Sequence, residues 1–316
     1  MKTPRLIQIA HDDPAAIRAE LLAGLTAPTA TIAPKYLYDA LGSRLFAAIT
    51  ELPEYYLTRT EAAIFAAEAD RMAEALGPVA TLVDLGAGNC EKAARLFAAF
   101  RVRRYVAVDI SVDFLRESLE LLQRRHPALD LLGIGLDFSQ TLNLPAEVGE
   151  GPCTLFYPGS SIGNFTPAEA LTFLRQARGA CQGGALLIGV DLIKPVTMLE
   201  AAYDDPLAVT AAFNRNLLRH LNVLAGADFD IADWRHCAFF NRAGSRIEMH
   251  LEAVRETVVR WEGGERRFAR CERIHTENSY KWRADDFAAL LERAGFCRLR
   301  RWTDTHKWFA VFAAFF

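Results

Sequence analysis

The sequence predicts an α/β protein, with a doubly wound, mostly parallel sheet that has an antiparallel edge hairpin and accepts an inserted α+β domain. Short apolar runs alternate with helical patterns from about Thr58 to Asp191 and again from about Trp282 to Phe316, as in sheets covered by helices on both faces. Between these regions the pattern changes to longer strands of alternating polarity. With 316 residues, 51% of them hydrophobic, the chain can bury the core of one large domain or two ordinary ones.

Five apolar runs predict the strands of the parallel sheet. They read ATLVDLG (80–86), RYVAVDI (104–110), LDLLGIGLDF (129–138), CTLFYPG (153–159) and GALLIGVDL (184–192). Between the last two runs, Thr166 and Glu169 have the spacing of a capping box around Pro167, and Gly183 with Gly184 follows the apolar pattern. These signals predict a helix with well-defined ends.

The C-terminal region predicts one helix and one hairpin. The helical pattern covers ADDFAALLERAGF (284–296), and Gly295 ends it. The strands RLRRWTD (298–304) and KWFAVFAAFF (307–316) follow, separated by a short loop. We therefore expect them to pair antiparallel at the sheet edge.

The inserted segment predicts a long helix, roughly Leu207 to Leu224, and then an antiparallel meander. The strand segments are RHCAFFN (235–241), SRIEMHLEAVRETVVRW (245–261) and RRFARCERIHTE (266–277), with turns at Gly244 and at Gly263 to Gly264. In the second segment, alternation predicts that one face is buried and the other solvated. The buried face would hold Ile247, Met249, Leu251 and Ala253, and the solvated face Arg246, Glu248, His250 and Glu252.

We therefore expect two domains. Residues 58–193 and 281–316 would form the doubly wound domain, and residues 1–57 and 194–280 the α+β domain. Open α/β sheets bind ligands outside the carboxyl ends of their strands. A ligand is accordingly expected at those strand ends, between the two domains.

Charge and cysteine usage favour a small-molecule partner. The formal net charge is −3, with 36 basic and 39 acidic residues interspersed, so neither nucleic acid nor an anionic membrane is expected to bind. The six cysteines form no C-x-x-C pair, which predicts neither a zinc site nor a disulfide framework. The N-terminus has no apolar signal-peptide core, and no uncharged run is long enough to span a membrane. These features predict an unprocessed, soluble, cytoplasmic protein, which we expect to be a monomer.

The stretch LVDLGAGNCEK (82–92) predicts a nucleotide loop after the first parallel strand. Gly86 and Gly88 allow a tight turn and close approach of a ligand, but Glu91 stands where dinucleotide-binding proteins have a third glycine. An acid, Asp109, ends the next strand and could hold ribose hydroxyls. This combination favours a mononucleotide-like cofactor such as S-adenosylmethionine over NAD.

The following strand ends in Asp137 and Phe138, which could meet the adenine amino group and stack on its ring. The strand-end acids Asp109 and Asp137, and also Lys92, have simpler interpretations. An acid at a strand end often only caps a helix, and Lys92 by itself could equally be a surface lysine.

The stretch PKYLYDALGSRLFAAITELPEYYLTRTE (34–61) resembles the N-terminal signature of the ergothioneine-pathway histidine Nα-methyltransferases. The resemblance continues through LGAGNCEK, VAVDIS, LDF, FYPGSSIGNF, AAYDDPLAVTAAFNRNLL, EMHLEA and IHTENSYKW, in order and over nearly the whole chain. It implies a Rossmann-like S-adenosylmethionine-dependent methyltransferase domain with an inserted substrate-binding domain. The implied reaction is trimethylation of the α-amino group of L-histidine to hercynine, the first step of ergothioneine biosynthesis.

The resemblance also implies roles for particular residues. The cofactor site would comprise Tyr38, Gly86, Lys92, Asp109, Asp137 and Phe138, and the glycine pattern adds Gly88. The histidine site would comprise Tyr55, Gly159, Asn164, Tyr203, Met249, Glu277 and Ser279. Apart from the resemblance, we add Phe46, because an aromatic ring can contact a methylated cation. Glu277 and Ser279 can bind the two imidazole nitrogens. Apart from the resemblance, we expect a water chain or the hydroxyl of Tyr38 to help remove the amine proton. No metal is implied.

Some alternatives remain open at this stage. Related fungal enzymes methylate a tryptophan-derived amine, and Asn278, between Glu277 and Ser279, departs from the apolar residue expected in some relatives. The substrate could therefore be another amino acid or such an amine. A cofactor-binding protein without catalysis is a rival of another class, and a nicotinamide dehydrogenase is disfavoured by Glu91.

Overall fold

The computed structural model describes residues 2–9, 13–139 and 141–316. The strands in these residues are β1 (Arg5–Gln8), β2 (Ala30–Thr31), β3 (Thr81–Leu85), β4 (Arg104–Asp109), β5 (Asp130–Gly135), β6 (Thr154–Tyr157), β7 (Ala185–Asp191), β8 (Trp234–Asn241), β9 (Arg246–Ala253), β10 (Thr257–Trp261), β11 (Gly264–Phe268), β12 (Arg273–Tyr280), β13 (Arg298–Thr303) and β14 (Phe309–Phe315). The helices are α1 (Pro14–Thr26), α2 (Ala40–Thr50), α3 (Tyr56–Leu76), α4 (Glu91–Ala94), α5 (Phe97–Phe100), α6 (Val112–Arg125), α7 (Pro167–Ala180), α8 (Val196–Ala201), α9 (Val209–Ala225) and α10 (Ala284–Arg293). None of the described helices is both long and apolar enough to cross a bilayer.

The chain divides into two compact units. The first comprises Met1–Ala10, Leu57–Ile193 and Tyr280–Phe316, and the second comprises His11–Tyr56 and Lys194–Ser279. One part of the expected division is wrong: the segment 1–57 does not lie wholly in the α+β domain. Strand β1 pairs parallel with β5, with Leu6 opposite Gly133, and so extends the large sheet of the first unit.

The first unit is built on an eight-stranded sheet in the order β1-β5-β4-β3-β6-β7-β14-β13. Its central pairs are parallel, and β14 pairs antiparallel with both β7 and β13. The predicted doubly wound fold and its antiparallel edge hairpin are confirmed. From β3 the chain adds β4 and β5 on one side and then β6 and β7 on the other, so the strand order reverses at the end of β3. Ligands bind at such reversal points in open α/β sheets.

The helix signals of the first unit are also confirmed. Thr166 and Glu169 form the capping box of α7, with the Glu169 N–H donating to Thr166 Oγ1 and the Thr166 N–H donating to Glu169 Oε2. After α10, Gly295 has a φ of +100°, which favours glycine and ends the helix. Phe173 of α7 and Phe287 of α10 are buried in the same apolar cluster as the strands, which fixes both helices on the sheet.

The second unit contains a four-stranded sheet in the order β2-β12-β9-β8, and β10 and β11 form a separate hairpin. The predicted single meander is therefore wrong, although both predicted turns exist. Asp233, just before β8, accounts for the difference: its carbonyl accepts the N–H of Val254, and its carboxylate pairs with Arg255 at 2.7 Å and accepts from Thr257 Oγ1. These contacts hold the corner after β9 and direct β10 away, so that β12 lies beside β9 instead.

The predicted solvated face of β9 is also wrong. Glu248, His250 and Glu252 are all buried, with 7%, 9% and 2% exposure. Neighbouring strands supply their partners, since Glu252 pairs with Arg235 and Arg273. Burial would raise the pKa of Glu248, but hydrogen bonds from Asn241, Arg246 and His250 lower it to about 2.

Helix α9 is anchored to this sheet by one buried side chain, Asn214. Its amide nitrogen bonds His236 Nδ1 and the carbonyl of His250, and its oxygen accepts from Thr276 Oγ1 at 2.8 Å. Three strands are thereby held to one position of the helix. A buried amide that makes all these hydrogen bonds stabilises the fold. Losing any one of them would lower the free energy of unfolding.

Candidate active site

The glycine loop follows β3 as predicted. Gly86 and Gly88 have φ angles of +73° and +52°, a region that favours glycine. A Cβ at Gly88 would meet nothing within 4 Å, and one at Gly86 would meet only the Phe138 ring, at 3.9 Å. The loop therefore presents open backbone that a ligand can approach closely, and it fits a nucleotide-like cofactor.

Asp109 binds this loop directly. Its Oδ2 accepts the N–H of Gly88 at 2.8 Å, and its Oδ1 accepts the N–H of Ser111 at 2.9 Å. Burial raises the pKa of Asp109, and the two backbone bonds oppose that rise. Each carboxylate oxygen has a second lone pair, so Asp109 can also accept from ligand hydroxyls.

Asp137 and Phe138 lie in the segment that directly follows β5. The Phe138 ring packs edge-on against Tyr157, with centroids 5.9 Å apart, and is half-buried, so part of its surface remains accessible. Asp137 Oδ1 accepts the N–H of Ser139 at 2.9 Å. The structure thus brings Gly86 and Phe138 together, as the adenine interpretation requires.

Lys92 lies in α4 and forms an ion pair that the sequence did not indicate. Its Nζ lies 2.9 Å from Oε2 of Glu61, a fully buried residue of α3. The other carboxylate oxygen, Oε1, accepts the N–H of Gly159 at 2.8 Å. Glu61 closes the stretch that carries the family resemblance, but nothing local marks it as a site residue.

Asp84 is a second residue that sequence reasoning missed. It lies in β3, is buried, and accepts from the Tyr105 hydroxyl at 2.7 Å through Oδ2, whereas Oδ1 has no hydrogen-bond partner among the described residues. Burial raises its pKa to about 7. An acid inside the apolar run LVDLG was the available signal. An orphaned carboxyl oxygen two residues before Gly86 suits a cofactor that brings a hydrogen-bond donor or a positive charge.

The loop after β6 contains Gly159 and Ser160, with φ angles of +78° and +60°. Ser160 Oγ accepts the N–H of Asp191 at 2.9 Å, and the Asp191 carboxylate forms a fully buried ion pair with Lys281. The loop continues into a short turn, Ser161–Asn164, that places Asn164.

Four of the predicted residues of the second unit form an aromatic cluster. Ring centroids are 5.5 Å apart for Tyr38 and Phe46, 6.1 Å for Phe46 and Tyr55, and 6.2 Å for Tyr55 and Tyr203. Phe213 of α9, which the sequence did not indicate, also contacts Tyr38, at 5.5 Å. The Tyr203 hydroxyl is hydrogen-bonded to Ser279 Oγ at 2.7 Å, so this cluster reaches β12.

The other predicted residues of this unit lie on β9 and β12. Met249 and Glu277 are buried, with 2% and 7% exposure. The side chain of Asn278 is bonded to another residue of its own strand, with Oδ1 lying 3.0 Å from His275 Nε2. The structure thus links Tyr203 to Ser279 directly, and the ligand-binding roles of all these residues remain predictions.

Comparisons with known proteins place the chain among methyltransferases. A family model described as histidine-specific methyltransferase, SAM-dependent, matches residues 17–315. The histidine N-alpha-methyltransferase of Mycolicibacterium smegmatis is 39% identical over 296 residues, which cover 92% of this chain and 91% of that protein. Ergothioneine biosynthesis protein 1 of Neurospora crassa is 32% identical over 277 residues, covering 84% of this chain and 31% of that longer protein. A solved S-adenosylmethionine-dependent methyltransferase from Clostridium acetobutylicum is 13% identical with a TM-score of 0.48, covering 86% of this chain and 98% of that one.

Proposed function

Because the chain belongs to the family of S-adenosylmethionine-dependent, histidine-specific methyltransferases, we propose that it trimethylates the α-amino group of L-histidine. The product is hercynine, and the reaction is the first step of ergothioneine biosynthesis. The observation that supports this most strongly is the match over residues 17–315, because it includes every predicted site residue from Tyr38 to Ser279.

S-adenosylmethionine supplies an electrophilic methyl group on a sulfonium. The open backbone at Gly86 and Gly88 allows close approach of the cofactor, and Asp109 accepts from its ribose hydroxyls while holding the loop. Phe138 stacks on the adenine and Asp137 accepts from its amino group. Lys92 directs an N–H toward the cofactor carboxylate. Tyr38 is the remaining residue of the proposed cofactor site.

The α-carboxylate of histidine is bound by Asn164 and by the hydroxyl of Tyr203, with Tyr55, Phe46 and the Gly159 loop around the amino-acid backbone. Glu277 accepts one imidazole N–H, Ser279 bonds the other ring nitrogen, and Met249 forms a wall. The bond between Tyr203 and Ser279 supports this assignment, since it holds two of these hydroxyls in one network.

The chain's task in catalysis is to present a neutral amine to the methyl group in the correct orientation. A free α-amine is largely protonated near neutrality, and the Tyr38 hydroxyl, or a chain of water molecules next to it, helps pass the proton to bulk solvent. Tyr38, Phe46 and Tyr55 face the increasingly methylated nitrogen, and each aromatic contact with the cation contributes ~0.5–2 kcal/mol. Methylation ends at three because a trimethylammonium group has no lone pair.

A buried carboxylate discriminates against a tryptophan-derived substrate. An imidazole has two ring nitrogens and can bond both Glu277 and Ser279, whereas an indole has a single N–H and can bond only one of these buried groups. Six free cysteines further support action in a reducing cytosol. The monomeric state stays a prediction that light scattering would check.

The test is to incubate the purified protein with S-adenosylmethionine and a mixture of amino acids, and to identify products by mass spectrometry. We expect histidine carrying three added methyl groups. Methylation of another amino acid or of an indole amine would overturn the substrate assignment, and cofactor binding without any product would favour a non-catalytic protein.

A further inference from the structure

Glu61 bonds two predicted site residues of the first unit through its two carboxylate oxygens. Lys92 Nζ donates to Oε2 at 2.9 Å, and the Gly159 N–H donates to Oε1 at 2.8 Å. Lys92 is a proposed cofactor residue, whereas Gly159 is a proposed histidine residue. A single carboxylate therefore contacts one residue of each kind.

Burial makes both bonds of Glu61 important. Glu61 is fully buried, and a buried carboxylate is costly unless it is paired and hydrogen-bonded. Lys92 differs, because its side chain retains 33% exposure. An ammonium group has three N–H donors, so Lys92 can keep its bond to Glu61 and still donate to a ligand.

The sheet leaves space for Glu61 at Gly189. This glycine lies in β7, where all seven residues are buried, and a Cβ built on it would overlap Glu61 Oε1. Any side chain at this position would push the carboxylate away from the Gly159 N–H. Gly189 thus permits the close approach that the Glu61 bonds require.

The loop that Glu61 holds has a conformation that needs support. Ser160 is a non-glycine residue with φ of +60°, and it directly follows Gly159 with φ of +78°. Glu61 bonds the loop at Gly159, and the Asp191 N–H bonds it at Ser160 Oγ. The loop leads to Asn164, so a shift at Gly159 would move that side chain.

We propose that Glu61 is a positioning residue for both substrates of the methyl transfer: it orients Lys92 toward the cofactor carboxylate and fixes the Gly159 to Asn164 loop for histidine. The inference rests on the proposed function, since it uses the roles given there to Lys92, Gly159 and Asn164. Glu61 itself touches neither substrate in this scheme.

Glu61→Gln separates the two effects. A glutamine oxygen can still accept the Gly159 N–H, but the amide NH2 then faces the Lys92 ammonium, and two donors cannot bond each other. The variant should release Lys92 while keeping the loop. Glu61→Ala removes both bonds, so it should disturb the lysine and the loop together.

The experiment measures cofactor-site affinity by calorimetry with S-adenosylhomocysteine, and the histidine KM by product formation. For Glu61→Gln we expect S-adenosylhomocysteine binding about tenfold weaker, the size of one lost charge-assisted hydrogen bond, with a histidine KM within about threefold of wild type. For Glu61→Ala, both constants should rise by about tenfold or more. Glu68→Gln is the matched control, because Glu68 lies on the same helix and its partner is exposed Arg71.

Two results would overturn the proposal. The first is an affinity of Glu61→Gln for S-adenosylhomocysteine equal to that of wild type. The second is that the glutamine and alanine variants change both S-adenosylhomocysteine affinity and histidine KM to the same extent, because a purely structural role of Glu61 predicts this. If wild-type protein fails to methylate histidine, the proposed function fails instead, and the calorimetric comparison of Glu61→Gln with wild type still tests the link to Lys92.

Discussion

Glu277 is the residue on which the choice of substrate depends most. It is buried, and the proposal gives its carboxylate one imidazole N–H to accept. Glu277→Ala should therefore raise the histidine KM by roughly 10- to 100-fold, since a hydrogen bond to a charged group is lost. Cofactor affinity should change far less. Steady-state kinetics with each substrate varied in turn would show this, and equal losses for both substrates would contradict the assignment.

A suitable control for Glu277→Ala lies in the same unit. Glu256 is a surface residue whose carboxylate pairs with exposed Arg267. Exposed ion pairs contribute little to protein stability. Glu256→Ala should therefore leave the unit folded and both Michaelis constants unchanged. A rise in histidine KM in this variant as well would mean that the kinetics report general damage to the unit.

Asp84 predicts a pH dependence of stability. Burial raises its pKa from 3.8 to about 7, so the folded protein holds a proton that the unfolded chain releases between these pH values. The contribution of Asp84 to the free energy of unfolding therefore falls as pH rises from about 4 to about 7 and is constant above that.

Asp84→Asn removes this dependence. At pH 8 its free energy of unfolding should therefore exceed that of wild type by on the order of a few kcal/mol more than at pH 5. Urea unfolding of both proteins without ligand at pH 5 and pH 8 would measure the difference. A difference that does not vary with pH would contradict the prediction.

At the scale of single elements, the cap of α7 gives a direct test. Thr166 Oγ1 accepts the N–H of Glu169, and Glu169 returns a bond to the N–H of Thr166. Thr166→Ala should lower the free energy of unfolding by ~1 kcal/mol, the usual effect of losing an N-cap side chain. Thr172→Ala is the control on the same helix, because the Thr172 hydroxyl donates to the carbonyl of Ala168 within its own helix and caps no helix end. Equal stability of the two variants in urea unfolding would show that the cap is unimportant.

Elements whose signals are local were predictable from the sequence. The five parallel strands, the capping box of α7 and the end of α10 at Gly295 are set by residues within a few positions of each other. The meander was wrong because the corner after β9 is held by Asp233, which lies 21 to 24 residues away from Val254 and Thr257. Alternation along β9 could not reveal the arginines from β8 and β12 that neutralise its buried acids.

The candidate site follows the same rule. The glycine loop and Asp109 have recognisable spacing, and the structure joins them by the bond from the Gly88 N–H to Asp109. Glu61 could not be found in this way, because its partners Lys92 and Gly159 lie 31 and 98 residues further along the chain. Family resemblance supplied Lys92 and Gly159, but only packing shows that one carboxylate connects them.

At the scale of the whole molecule, the large sheet has two edge strands, β1 and β13, at which another copy could pair. The strand β1 at one edge is only four residues long, which limits the hydrogen bonds it can offer. At the other edge, β13 is longer and reads RLRRWT, with Arg298, Arg300 and Arg301 exposed. Short strands and charged side chains are the usual protection of sheet edges. These edges support the expectation of a monomer.

Arg300 tests this protection. It lies opposite Ala313 of β14, so the side chain stands on the outermost strand of the sheet. Arg300→Val removes a charge and adds a β-branched apolar residue, which favours strand pairing between copies. We expect association that grows with protein concentration in light scattering, whereas Arg300→Lys, which keeps the charge, should behave as wild type. If Arg300→Val stays monomeric at every concentration at which wild type does, the charge of Arg300 is not what keeps this edge unpaired.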